Sequence, residues 1–232
     1  MTKYLLSIFL LISVIACQPS TIEQKDNFVI DLPDTSLTES KLPIGGLYYE
    51  IKNTLVDELN LERLEDKRNS FEIRLWKKEE LFVFGQLMII KKIDQQWVCL
   101  NYLYTTSSSN QKPKKGKYSY FSNFKVKQFR VIKKVALMDW NDFFSTLDSN
   151  NFYDLRDQTE TPNFIDEVSD GTSYMVEILD SNKYRFFTFH QPDYFAEQYE
   201  SSKKMWNIIQ LFDSNFGFFD FRQNPNAFLL EN

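Results

Sequence analysis

The chain has 232 residues and a net charge of −5, and its aromatic content of 16% is high, with 22 phenylalanines. A chain this rich in large apolar side chains can bury a core, which excludes disorder for most of its length. The length fits one domain or two small ones. The sequence carries no DNA- or RNA-binding motif, so a nucleic-acid partner is not expected.

The N-terminus has the layout of a secretory signal peptide. Lys3 precedes an apolar stretch over residues 4–16, which is shorter than the ~20 residues of a membrane span and ends on a small residue. The last four residues of this region, "VIAC" at 14–17, resemble the lipobox of bacterial lipoproteins. The resemblance implies that Cys17 carries a lipid on its sulfur. The alternative is an ordinary secretory signal that happens to contain a cysteine.

The chain is therefore expected to divide into three regions. Residues 1–16 form the signal, residues 17–43 a flexible tether with three prolines, and residues 44–232 a single globular domain that no linker divides. Within the tether, "NFVIDL" has the pattern of a short strand that could dock on the domain. The resemblance implies an exported protein held on a bacterial membrane, the outer one where there are two, because Gln18 follows the cysteine.

In the first half of the domain, the spacing of apolar residues predicts one helix followed by several strands of a sheet. Apolar residues recur at helical spacing over 47–59. Three strand-like runs follow at 70–76, 81–92 and 96–105, and their short connections predict an antiparallel meander. Cys99 lies in the third run. With Cys17 consumed by lipid, Cys99 has no disulfide partner and is expected to be a small buried side chain.

A basic ribbon follows over residues 111–134, which hold nine Lys or Arg and no acid, while the rest of the chain holds 18 basic and 32 acidic residues. Its last part, 117–135, predicts one or two strands. The ribbon favours an anionic partner, such as lipid headgroups or an acidic protein face, or else an edge strand that lysines protect from pairing. The candidate contact residues are Lys114, Lys115, Lys117, Lys125, Lys127 and Arg130.

Beyond the ribbon the pattern becomes helical and then returns to strands. Asp139 is a good N-cap for a short helix from Trp140, and "FYDLRD" at 152–157 has strand composition. Residues 156–170 are acidic and polar, which predicts a surface loop. The segment 172–190 then predicts a β-hairpin around a polar turn.

A final helix of about 20 residues is expected to open at Pro192 and to end before Gly217. Its predicted buried stripe contains Met205, Ile208, Ile209 and Phe212. The sum is an α+β fold, with a mostly antiparallel sheet made of the meander and the hairpin and packed with about three helices.

The sequence contains little of the chemistry that marks an enzyme. His190 is the single histidine, and no His/Cys cluster, G-x-S-x-G elbow or glycine-rich phosphate loop is present. No metal or other cofactor is expected. The acidic stretch "DEVSDG" at 166–171 lacks the later Glu of a calcium loop. These features favour a protein without enzymatic activity.

One constellation in the hairpin resembles an uncharacterised family of bacterial proteins, many of them lipoproteins. The matching residues are Asp170, Gly171, Tyr174, Glu177, Tyr184, Arg185 and Pro192. The resemblance carries no activity. Glu177 and Arg185 lie on adjacent predicted strands and are a candidate pair, binding or structural, provided that the register places them on one face.

Three functions remain open. The favoured one is a membrane-anchored binding or assembly module of the cell envelope, with an unknown envelope protein or an apolar ligand as partner. The first alternative is a carrier in which an aromatic-lined half-barrel, with Tyr184, Phe186 and His190 facing inward, holds an apolar ligand or lipid. The second alternative is a hydrolase that uses carboxylates or His190.

Overall fold

The computed structural model describes residues 28–33, 44–79, 84–108, 124–165 and 171–219. The predicted signal, the lipidation site Cys17, the basic residues Lys114, Lys115 and Lys117, and Asp170 lie outside these ranges.

Seven strands form one sheet in the described part of the chain, in the order β1-β7-β6-β2-β3-β4-β5. All neighbours are antiparallel except β1 and β7, which are parallel. The strands are β1 Val29–Asp31, β2 Glu72–Glu79, β3 Phe84–Ile93, β4 Gln96–Ser108, β5 Phe124–Lys134, β6 Thr172–Asp180 and β7 Lys183–His190. The helices are α1 Ile44–Glu58, α2 Trp140–Ser149, α3 Pro192–Phe195 and α4 Glu200–Phe216. The predicted α+β class, with its meander and hairpin, is confirmed.

Helices cover both faces of the sheet. One face, here called the α1 face, packs against α1, and the other, the α4 face, packs against α2 and α4. The α1-face core includes Tyr48, Ile51, Leu55, Trp76, Leu87, Tyr104, Met175 and Tyr184. The α4-face core includes Ile73, Leu75, Met88, Ile90, Val176, Phe187, Met205, Ile208, Ile209 and Phe212. Cys99 is buried on the α4 face as predicted, and burial raises its pKa to about 12.

Several predicted elements are present, but the first helix begins earlier than predicted and the last predicted helix is divided in two. Asp139 caps α2 by accepting a hydrogen bond from the Asn141 amide at 2.7 Å. The docking strand predicted within the tether is β1, and the first helix begins at Ile44, three residues before its predicted start. The single long helix predicted from Pro192 is wrong. The helix is interrupted between α3 and α4, where Tyr199 has an extended backbone conformation.

The strand predicted at 152–157 is also wrong. Phe152–Asp154 is a 3₁₀ turn that begins after Asn151 in a left-handed conformation. In the predicted surface loop at 156–170, the described residues 156–165 are mostly exposed or half-buried, as expected, but Asp157 and Gln158 are buried. The Asp157 carboxylate accepts hydrogen bonds from the Thr188 amide at 2.8 Å and hydroxyl at 2.7 Å, and Gln158 pairs with the backbone of His190. Their side chains therefore cover the edge of β7 beyond the short β1.

Candidate functional site

The candidate pair Glu177 and Arg185 does not form. In the hairpin register Glu177 lies opposite Phe186, while Arg185 lies opposite Ile178, so the two charges point to opposite faces of the sheet. Arg185 donates hydrogen bonds to Asp31 at 3.1 Å and to the carbonyls of Tyr153 and Leu155. Arg185 thus ties β1 and the 3₁₀ turn to β7.

Glu177 lies at the centre of a buried ionic network on the α1 face. Its carboxylate accepts hydrogen bonds from the Trp76 indole at 2.9 Å and the Tyr184 hydroxyl at 3.1 Å. Lys52 of α1 and Arg74 of β2 lie 3.5 and 3.8 Å from it, and all three charged side chains are buried.

Cations and carboxylates lie next to one another throughout this network. Burial works against the charge of Arg74, but Glu177 and Glu72 outweigh it and raise the pKa of the guanidinium. Lys52 also contacts Glu65 at 3.4 Å. Burial, with Glu177 next in size, holds the pKa of Tyr184 well above its usual value. Charges that neutralise one another in this way fix the position of α1 on the sheet more readily than they meet a ligand.

The residues predicted to face an apolar ligand pack inside the protein. Tyr184 binds Glu177, and Phe186 makes an edge contact with Tyr49 of α1 at 5.3 Å. His190 Nδ1 lies 3.0 Å from the Ser173 hydroxyl, and the ring is buried. The half-barrel prediction is therefore wrong for these three residues, because α1 occupies the space that a ligand would need.

The described part of the basic ribbon is β5, the edge strand of the sheet. Lys125, Lys127 and Arg130 are exposed on it, and the register with β4 shifts by one residue beside Lys127. Phe129 is 51% exposed and stacks on Tyr102 at 6.4 Å. The strand has both features predicted for the ribbon, an exposed basic surface and an edge that carries lysines.

An aromatic pocket opens on the α4 face, at the end of the sheet where β2 and β4 begin. Its volume is about 470 Å³, and four aromatic side chains from four separate segments surround it. The lining residues are Asn69, Ser70, Phe71, Lys92, Trp97, Phe144 and Tyr153. Pockets of this size, with apolar walls and a few polar groups, are typical of small-molecule sites.

Ring contacts hold the aromatic walls in place. Trp97 and Phe144 lie 4.6 Å apart between ring centres, and Phe71 makes edge contacts with Trp97 at 5.3 Å and Tyr153 at 6.4 Å. Trp140 of α2 supports Trp97 from behind at 6.1 Å. Because such edge and tilted contacts fix ring orientation, the walls are preformed.

Strand register places Lys92, the cation among the described lining residues. Lys92 and Trp97 are direct partners across the β3–β4 hairpin, whose turn residues Asp94 and Gln95 both have positive φ. The Lys92 ammonium lies 4.9 Å from the centre of the Trp97 ring, within cation–π range. The opening of the pocket is polar, with Asn69 and Ser70 beside the lysine.

Tyr153 supplies a phenol to the pocket wall. Burial, assisted by the charges of Asp148 and Asp180, raises the pKa of its hydroxyl well above the usual value. It therefore stays protonated at neutral pH and can donate a hydrogen bond into the pocket. In the described ranges, no group of three or more His, Cys, Asp or Glu side chains is placed to hold a metal ion.

This pocket was not predicted from the sequence. Phe71 and Trp97 fall in predicted strands, Phe144 in the predicted short helix from Trp140 and Tyr153 in a strand that does not form. The available signal was indirect: Phe71, Trp97 and Tyr153 lie at or next to the ends of elements and beside polar residues, whereas Phe144 lies in the middle of α2. These four side chains come together because of the strand register and the turn after α2. The hydrophobic periodicity of the sequence predicts neither.

No protein-family model and no curated protein matches the chain. Among the described helices, none has the length and apolar character needed to cross a membrane.

Proposed function

We propose that this protein is a lipid-anchored, non-enzymatic binding module of a bacterial cell envelope and that the aromatic pocket is its binding site. The observation that carries the proposal is the preformed pocket of about 470 Å³, walled by four aromatic rings and open to solvent. The lipobox at Cys17 supports the anchoring, since two or three acyl chains hold a protein stably on a membrane.

The pocket suits a ligand with an apolar ring system and one negative group. The aromatic walls favour a flat or cyclic apolar body, which they can stack upon. Lys92 already lies over the Trp97 ring, so a cationic ligand would be repelled where an aromatic cage would otherwise attract it. A carboxylate or sulfonate at the opening would meet the Lys92 ammonium and the Asn69 amide instead.

The hydrolase alternative receives less support from the geometry. His190 is buried, its Nδ1 is engaged by Ser173, and the pocket lies at the other end of the sheet. Lys92 and Tyr153 are the titratable groups that line the pocket, and both are suited to holding a ligand.

The proposal is tested with anilinonaphthalene sulfonate, which combines a ring system with one negative group. Titration is followed by NMR through the indole N–H signals of the four tryptophans. We expect the Trp97 signal to shift in a saturable way, while Trp76 beneath α1 and Trp206 on α4 stay in place. A Lys92→Gln variant should weaken binding, and a matched Lys133→Gln variant on β5 should not. Saturable shifts at Trp76 or Trp206 with none at Trp97 would contradict the proposal.

A further inference from the structure

The chain enters the sheet at one defined end. Because β1 is parallel to β7, with Val29 opposite Lys183, the start of β1 lies where β7 begins and where β3 and β5 end. This end, here called the anchor-side rim, also holds the aromatic pocket. Ten residues, 18–27, separate Cys17 from Phe28, so the start of β1, at one edge of this rim, lies at most about 40 Å from the lipidated cysteine.

The anchor-side rim exposes the most solvent-accessible aliphatic side chains described in the protein. Val135 and Leu137, which follow β5, are 81% and 82% exposed. Ala136 and Met138, which alternate with them, pack inward on the α4-face core. At the same end of the sheet Ile93, the last residue of β3, is 43% exposed. Isolated exposed apolar side chains are ordinary, but three at one corner of one rim form a patch that favours an apolar neighbour.

The surroundings of these side chains match a membrane interface. In the chain, Lys92 and Asp94 flank Ile93, and Lys133, Lys134 and Asp139 lie within two residues of Val135 or Leu137, so charges of both signs accompany the patch. Trp97 and Trp140 lie just behind, and amphipathic rings of this kind gather at the headgroup level of bilayers. Because charges of both signs are present, we expect burial of the apolar side chains, rather than electrostatic attraction, to drive the contact with the membrane.

We infer that the anchor-side rim docks on the lipid surface to which the chain is tethered, with Val135 and Leu137 entering the interfacial layer. The inference rests on the anchoring part of the proposed function. A short tether keeps the rim at a high effective concentration near the bilayer, so a contact too weak for the free protein becomes populated. The same contact turns the aromatic pocket toward the lipid surface.

Chemical coupling tests the inference without dependence on cellular lipidation. The chain from Cys17 to Asn232 is attached to vesicles of phosphatidylcholine and phosphatidylglycerol that contain a maleimide lipid. Cys99 is buried and its pKa is raised to about 12, so Cys17 is the reactive thiol. Amide hydrogen exchange is then compared between coupled and free protein.

We expect coupling to slow exchange at 93–97 and 133–139 and to leave 190–198, at the opposite rim, unchanged. A variant carrying Val135→Asp and Leu137→Asp should lose this protection while keeping the exchange pattern of the free fold. Tyr194→Asp, at an exposed aromatic of the opposite rim, is the matched control and should retain it. Absence of protection, or protection at the opposite rim, would overturn the inference, whereas sulfonate binding in the absence of vesicles reports on the pocket alone.

Discussion

At the residue scale, several buried charged side chains of the described ranges join separate elements of the fold. Glu177 is enclosed by Lys52, Arg74, Trp76 and Tyr184, and each of these contacts crosses between different elements. A buried charge is costly unless its partners are all present, so the network should respond sharply to the loss of one member.

Glu177→Gln should lower the free energy of unfolding by about 3 kcal/mol, the lower end for breaking a buried ion pair. The loss is limited because Lys52 keeps Glu65 and Arg74 keeps Glu72 as partners. Urea denaturation measures it. Glu62→Gln removes an exposed carboxylate paired with Lys67 and should leave stability near that of the wild type. Equal effects of the two substitutions would show that the buried network does not hold α1.

Asp31 should make the attachment of β1 sensitive to acid. Partial burial opposes its charge, but the hydrogen bond and charge of Lys183, with Arg185, outweigh burial and lower the carboxyl pKa from its ordinary 3.8. A lowered folded-state pKa contributes stability that is present above about pH 4 and is lost as pH falls through the lowered value. Asp31→Asn should therefore be less stable than the wild type at neutral pH, and the two should converge as the pH falls through the lowered carboxyl pKa. A difference that stays constant across this range in urea denaturation would contradict the assignment.

At the element scale, the alternation of apolar and polar residues predicted the regular strands. It failed where side chains, rather than another strand, form the hydrogen bonds to the sheet edge. The meander and the hairpin each bury one or both faces, so their patterns are strong. The segment 152–157 has the composition of a strand because Phe152 and Leu155 are core residues, yet it pairs with no strand. Instead of a paired strand, the side chains of Asp157 and Gln158 hydrogen-bond to the edge of β7. The periodicity of the sequence does not predict such a contact.

Asp157→Ala tests this side-chain edge. The substitution leaves the Thr188 amide and hydroxyl without their acceptor inside the protein, which should cost roughly 1–3 kcal/mol per buried donor. Hydrogen exchange should accelerate at Thr188 and His190 in particular. Asp154→Ala, an exposed acid in the preceding 3₁₀ turn, is the control and should change neither quantity. Unchanged protection at Thr188 would mean that the carboxylate does not hold β7.

At the scale of the whole molecule, the two ends of the sheet carry different features. One rim receives the chain from the predicted anchor and carries the aromatic pocket and the exposed Val135 and Leu137. Fold class followed from the sequence because hydrophobic period and connection length decide it. The pocket did not, since Phe71, Trp97, Phe144 and Tyr153 are distant in sequence and meet only through register and turn geometry.

The most direct test of the binding function is native mass spectrometry of the protein purified from bacterial membranes in mild detergent. We expect a small molecule to be retained by the wild type and to be released on denaturation. A Lys92→Glu variant, which reverses the charge at the opening of the pocket, should lose the retained mass, while Lys133→Glu on β5 should keep it. A wild-type protein without retained mass, or a Lys92→Glu variant that keeps it, would contradict the assignment of the aromatic pocket as the binding site.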